Sequence, residues 1–401
     1  MPNWSLIRRT KRNDASASNG QLPTELWAII INIVLAEFRQ PYLYCTPETF
    51  PQYHVLLHNV DNVNKILASN DWKSIRAVCH KWKALAGAKP YFFIGKPAWS
   101  GDPPPEIPLG TSSVFVDSRA NAIIALESIA HLGATLTTLA FGHSYGSEHE
   151  FINKFLDNSS SFPNLQCLSL HSTNTRKSFW KTMQTDFPNL VSLTVRSKAH
   201  GVPGRYVLRN LEILEIDDWQ GFQLVCPSLK HLSIRFSNSF TVHEFLVDHG
   251  HQLESFIADP YPPTMITNPK DFWFTTFPHV VTFGKRIRME PRTCSSRHPL
   301  RHLLLTSDHN SLRPETILAE IDNFPGIESV HIGMADLRTG TANELRRRCR
   351  RRGVRIVEIV DGKKVFVQPP RRFSTLIKEA LILITFPCWW FCIPNDAWEH
   401  D

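Results

Sequence analysis

SFPNLQCLSLHS, residues 161–172, holds the pattern from which the architecture can be read. An aromatic residue and a proline, Phe162-Pro163, are followed by an apolar anchor, Leu165, and then by Leu168 and Leu170. Residues two apart share a face of a strand, so Leu168 and Leu170 point the same way, and Pro163 suits the tight turn ahead of them. The phrase returns at Phe187-Pro188-Asn189-Leu190 with Leu193 and Val195, and at Cys226-Pro227-Ser228-Leu229 with Leu232 and Ile234. A copy without proline has Leu211, Leu214 and Ile216, and weaker ones begin at Leu136, Leu253, Val280, Leu300, Ile327 and Val354. Steps between anchors run from 18 residues (Leu211 to Leu229) to 29 (Leu136 to Leu165). Recurrence at this spacing predicts a stack of short strands that bury a shared core.

Helical spacing in EFINKFL, TVHEFLVDHG and RPETILAEIDNF, between the copies, adds helices to the strands. A strand and a helix per copy resembles the leucine-rich repeat family. That resemblance implies an irregular α/β solenoid over residues 111–362, binding partners through its concave face. In this register the strand residues facing away from the core include Cys167, Ser169 and His171, then Ser192, Thr194 and Arg196. Ile213, Glu215 and Asp217, then His231, Ser233 and Arg235, continue the rows, followed by Ser255, Asp259, His302 and Thr306. They are expected to face outward, with His171, Arg196, Asp217, His231, Arg235 and Asp259 as target-binding residues. Arg196 and Arg235 flank Asp217, and this mixture of signs suits a protein partner better than a polyanion.

Upstream lie two further helical segments, LPTELWAIIINIVLAEF at Leu22–Phe38 and DWKSIRAVCHKWKALA at Asp71–Ala86. Pro23 fits the first turn of a helix, and Leu26, Ile29, Ile30, Ile33 and Val34 form one apolar stripe. Asp71 is a good N-cap for Trp72, Ile75, Cys79, Trp82 and Leu85. The order Leu-Pro, apolar helix, then a Val-Cys-basic-Trp run is similar to the F-box. The resemblance implies docking on a Skp-type adaptor, and through it on a cullin ligase core, by Leu22, Pro23, Leu26, Ile30, Ile75, Val78, Cys79 and Trp82. Family members join these helices by a short linker, whereas this chain inserts residues 39–70.

The expected organisation is a basic N-terminus (1–20), an F-box-like helical module (21–94), a Pro-rich linker (95–110), the repeat domain (111–362) and an apolar tail (363–401). Fold class is α/β, a short helical module followed by an irregular leucine-rich-repeat solenoid. Within the tail, Ala380–Ile393 is 14 residues long and contains Pro387, short of the roughly 20 needed to cross a bilayer, so it reads as a cap on the last repeat.

With 401 residues, 42% hydrophobic and 20% charged, the chain has the composition of a globular protein. Lys and Arg number 44 against 37 Asp and Glu, and much of the +7 excess is local, in RRRCRRRGVR at Arg346–Arg355 and near Arg8–Arg12. No aromatic residues interleave with these basic runs, so they read as solvated faces rather than nucleic-acid contacts. Eight cysteines without a CxxC pair exclude a zinc ribbon and argue against a secreted disulfide scaffold, and no apolar leader opens the chain. A cytoplasmic or nuclear setting is expected, with no cofactor and no metal; the 18 histidines contain no HExxH.

One motif points to catalysis. GHSYG at Gly142–Gly146 fits the G-x-S-x-G nucleophile elbow, with Ser144 as nucleophile and Asp248 or Asp308 with His249 or His309 to complete a triad. The same residues occupy the loop leaving a repeat strand, because Leu136, Leu139 and Phe141 align with Leu165, Leu168 and Leu170. The expectation is therefore a non-enzymatic substrate adaptor of an SCF-type ubiquitin ligase. A repeat scaffold without a ligase link and a serine hydrolase are the alternatives.

Overall fold

The computed structural model describes residues 25–29, 45–51, 53, 80, 91–95, 106–117, 120–142, 148–170, 178–200, 203–220, 222–235, 240–259, 276–286, 297–306, 314–333 and 339–359. The chain runs β1 (Tyr91–Ile94), β2 (Ser113–Val116), α1 (Ala122–Ile129), β3 (Thr138–Phe141), α2 (Glu148–Asp157), β4 (Cys167–Leu170), α3 (Phe179–Asp186) and β5 (Ser192–His200). It continues through β6 (Arg205–Val207), β7 (Ile213–Gln220), β8 (Gln223–Val225), β9 (His231–Arg235), α4 (Phe240–His249), β10 (Ser255–Asp259), β11 (Thr282–Arg286) and β12 (His302–Thr306). It closes with α5 (Pro314–Asp322), β13 (Ser329–Gly333), α6 (Thr339–Arg351) and β14 (Arg355–Ile359).

Twelve of these strands form one sheet in the order β1-β2-β3-β4-β5-β7-β9-β10-β11-β12-β13-β14, while β6 and β8 pair separately. Every pairing among the described residues is parallel. This finding replaces the expected architecture of a helical module followed by a leucine-rich-repeat solenoid. Among the described residues the sheet begins at Tyr91, inside the stretch assigned to the helical module. Helices supply only some crossovers: β5 reaches β7 through β6, and β7 reaches β9 through β8, with no helix among the described residues of either connection. A uniform strand-plus-helix unit is therefore not what builds the molecule.

The turn phrase does the local work. In four copies the anchor N–H returns to the carbonyl three residues back: Leu165 to Phe162 (3.2 Å), Leu190 to Phe187 (3.1 Å), Leu229 to Cys226 (3.2 Å) and Ile327 to Phe324 (3.1 Å). Proline at the second position pre-sets φ for this turn. From there Leu168, Leu193, Leu214, Leu232, Phe256, Leu303 and Val330 enter the main core beneath the helices, together with Leu170, Val195, Ile216, Ile234 and Ile332 two residues later. Helix ends are satisfied locally. Asn121 caps α1 by accepting from Ile123 and Ile124 N–H (3.0 and 3.2 Å). After α6, Gly353 takes φ +74°, and Val354 N–H turns back to donate to the Cys349 carbonyl in the last turn at 2.9 Å.

The other sheet face carries a transverse row fixed by the pairing: Ser113, Thr138, Cys167, Ser192, Ile213, His231, Ser255, Thr282, His302, Ser329 and Arg355. Here the expectation of outward, solvated residues is corrected. Cys167, Ser169, Ser192, Thr194, Ile213, Glu215, His231, Ser233, Ser255 and His302 are all buried. A segment from residues 45–53 lies against this face, and Phe50 and Tyr53 cluster with Cys167, Ile213, Ile257 and Leu304.

Candidate functional site on the inner face of the sheet

The covering segment is a capped helical turn. Thr46 N–H donates to Thr49 Oγ1 (2.8 Å) and Thr49 N–H to Thr46 Oγ1 (3.3 Å), a reciprocal cap with Pro47 at the first helical position. Backbone bonds from Phe50 to Thr46 (2.8 Å) and from Tyr53 to Thr49 (3.0 Å) continue the turn, which places Phe50 and Tyr53 on one side.

That side meets the transverse row. Tyr53 Oη lies 2.8 Å from Ser192 Oγ and 3.4 Å from Cys167 Sγ. The Phe50 ring stacks on His231 with centroids 5.1 Å apart and planes at 26°. Thr282 Oγ1 donates to the Pro47 carbonyl, and Arg355 pairs with Glu48. The contacts thus run from β4 to β14. Eight strand spacings would separate these strands by about 38 Å on a flat sheet. One helical turn with its side chains does not reach that far, since a helix rises only about 1.5 Å per residue. The sheet is therefore bent around the segment, and the row lies on its inner face.

Next to the segment the row is tied together by imidazole–hydroxyl pairs. His231 Nδ1 lies 2.9 Å from Ser255 Oγ, His302 Nδ1 2.8 Å from Ser329 Oγ, and Ser329 Oγ 3.2 Å from His331 Nε2. Burial holds these rings neutral. His231 is lowered to about 4, chiefly by desolvation and then by Lys230, against a backbone hydrogen bond with Cys45. His331 is lowered to about 3 by desolvation, His302 and Arg355. Burial also pushes the Cys167 thiol up to about 11. Farther along the strands, Arg196 Nη2 lies 3.6 Å from Glu215 Oε1, and Thr194 Oγ1 donates to Glu215 Oε2 at 3.4 Å. Thr138 Oγ1, Ser169 Oγ and His331 Nδ1 are buried without a hydrogen-bond partner among the described residues.

Of the residues expected to bind a target, His231 and Arg196 belong to this face, His231 beneath Phe50 and Arg196 half-buried. Asp217, Arg235 and Asp259 stand in β7, β9 and β10, with Arg235 opposite Asp259 in the strand register; the side chains of all three lie outside the described residues, as does His171. In the expected adaptor-docking set, Leu26 lies in the helical stretch at residues 25–29 and is 43% exposed beside Ile29 at 54%, whereas Trp27 is buried. Leu22, Pro23, Ile30, Ile75, Val78, Cys79 and Trp82 lie outside the described residues, as does the 363–401 tail.

The described residues assemble no triad from the GHSYG motif. Ser144, Asp308 and His309 lie outside them. His249 sits on α4 against Phe245, taking the Cys226 N–H at 3.5 Å, and the adjacent Asp248 is exposed. The imidazole–hydroxyl pairs of the inner face have nucleophile–base spacing, but rings lowered to about 4 and about 3 are weak bases at neutral pH. Among the described residues no group of three metal-ligating side chains gathers, and no helix is long and apolar enough to cross a membrane.

The basic run on α6 is paired in part: Arg348 Nε lies 2.7 Å from Glu344, Arg347 also meets Glu344, and Arg352 lies 3.0 Å from Asp322. The 45–53 segment escaped the sequence reading because it belongs to the insert of residues 39–70. Its signals were present in the T-P-E-T cap and in two aromatics three residues apart. No protein-family model matches the chain, and no curated protein is similar to it in sequence.

Proposed function

We propose that this protein is a substrate adaptor of an SCF-type ubiquitin ligase, its N-terminal segment docking a Skp-type adaptor and the inner face of its sheet holding a protein target. The observation that carries this reading is the exposure of Leu26 and Ile29, 43% and 54%, around a buried Trp27. A helix that buries one face and presents two large aliphatic side chains on the other leaves apolar surface for a partner. The covered sheet face supports the second half, because its aromatic, hydroxyl and ionic contacts already accommodate a peptide segment. Such an adaptor supplies no chemical group. It raises the local concentration of the target near the ligase's transfer centre, and its place of work is the cytoplasm or nucleus.

Co-purification of the full chain with a Skp-type adaptor tests the proposal. Wild type is expected to retain the adaptor, and Leu26→Ala/Ile29→Ala to lose at least tenfold in retention while keeping its circular dichroism spectrum. Absence of the adaptor from the wild-type preparation, or equal retention by both proteins, overturns the ligase assignment.

A further inference from the structure

We infer that the inner face of the sheet is a docking groove for a short helical turn bearing two aromatic side chains three residues apart behind an acidic residue, and that residues 46–53 fill it in cis as a built-in competitor. This rests on the reading of the sheet as the target-holding part of an adaptor.

The groove's chemistry is specified by what the segment uses. Tyr53 reaches Ser192 at 2.8 Å, Phe50 stacks on His231, Thr282 donates to the Pro47 carbonyl and Arg355 takes Glu48. Each contact goes to a different strand of one row, and each is of a kind a peptide in trans would make equally well. The segment also carries its own reciprocal Thr46–Thr49 cap, so the turn's conformation does not depend on its covalent flanks alone. Side chains of the segment, the Pro47 carbonyl and the Cys45 backbone meet the sheet, and no described strand of the sheet pairs with the segment's backbone. A target with an acidic residue two positions before the first aromatic matches Arg355 in charge and the hydroxyl and imidazole positions in shape.

The probe is a labelled synthetic peptide of residues 46–54, TPETFPQYH, titrated into the full chain by fluorescence anisotropy. Wild type, with its groove occupied, is expected to bind at least tenfold more weakly than Phe50→Ala/Tyr53→Ala. In that variant Cys167, which lies beneath Tyr53, is expected to gain at least fivefold in iodoacetamide labelling, measured by peptide mapping, and the added peptide to reverse the gain. Should the double variant fail to fold, Glu48→Ala/Tyr53→Phe, which keeps the aromatic bulk, is expected to bind the peptide several-fold more tightly than wild type. A folded variant that exposes Cys167 without capturing the peptide overturns the groove, and so does one in which Cys167 stays protected. Retention of the Skp-type adaptor by the same proteins reports the ligase link separately. Peptide capture without adaptor retention removes that link and leaves the groove standing.

Discussion

At Gly284 a missing side chain governs how two strands fit. Gly284 pairs with Ile257 across β10 and β11, and a Cβ there would lie 2.7 Å from Ile257 Cγ1 and 2.9 Å from Cγ2. Packed interiors do not absorb such approaches without displacement, and overpacking costs about 1–3 kcal/mol. Gly284→Ala is therefore expected to destabilise the chain by that amount, read from urea unfolding. Ile257→Ala in the same chain should recover part of the loss, so the two changes are expected to be non-additive in a double-mutant cycle. Additive losses would mean that Ile257 is not what the new methyl meets. In the sequence Gly284 is only a glycine inside a strand-like TFGKR. Its reason lies far back in the chain, at Ile257 on a neighbouring strand.

Among the elements, the turns ahead of the strands are tied to one another. Asn164 Nδ2 donates to the Ala134 carbonyl (2.8 Å), Asn189 to that of Pro163 (3.2 Å) and Asn210 to that of Pro188 (2.8 Å). Each asparagine thus satisfies a carbonyl in the preceding turn, which sets the spacing of consecutive strands. Asn164→Ala and Asn210→Ala are each expected to cost about 0.5–1.5 kcal/mol, the net worth of one such bond, measured by urea unfolding. Loss below about 0.2 kcal/mol at both positions, well under that net worth, would show that strand pairing alone sets the spacing. The strands themselves were legible from the Leu168/Leu170 and Leu193/Val195 alternation. The burial of the intervening residues was not, because alternation says which side chains share a face and says nothing of what covers the other face.

For the whole molecule, the buried imidazoles make stability depend on acid. His231 and His331 are held neutral when folded, at about 4 and about 3, against an unfolded value near 6.5. His302 is also lowered by burial, with Glu48 and Glu328 opposing and Arg355 and Arg301 adding to the shift. A lowered histidine leaves stability unaffected above about pH 6.5. As pH falls below that, the unfolded chain takes up protons that the folded chain refuses, so stability declines down to the folded values, by about 1.4 kcal/mol for each pH unit per fully displaced group. The urea midpoint is expected to be flat from about pH 8 to 7 and to fall steadily from about pH 6 to 4.5. His231→Gln should make that fall shallower. A midpoint constant down to about pH 4.5 would contradict neutral burial of these rings.

The order of residues alone settles what is local. The F-P-x-L turns and the alternating anchors are short-range, and they follow from dihedral preference and side-chain period, which need no tertiary partner. It took folding in three dimensions to join the strands into one parallel sheet of twelve, and to bring residues 45–53 onto its inner face. Both depend on contacts between residues far apart in the chain, such as Tyr53 with Ser192 and Glu48 with Arg355. The free energy of burying an aromatic pair against a polar row is set by what lies opposite, and a linear pattern carries no record of that.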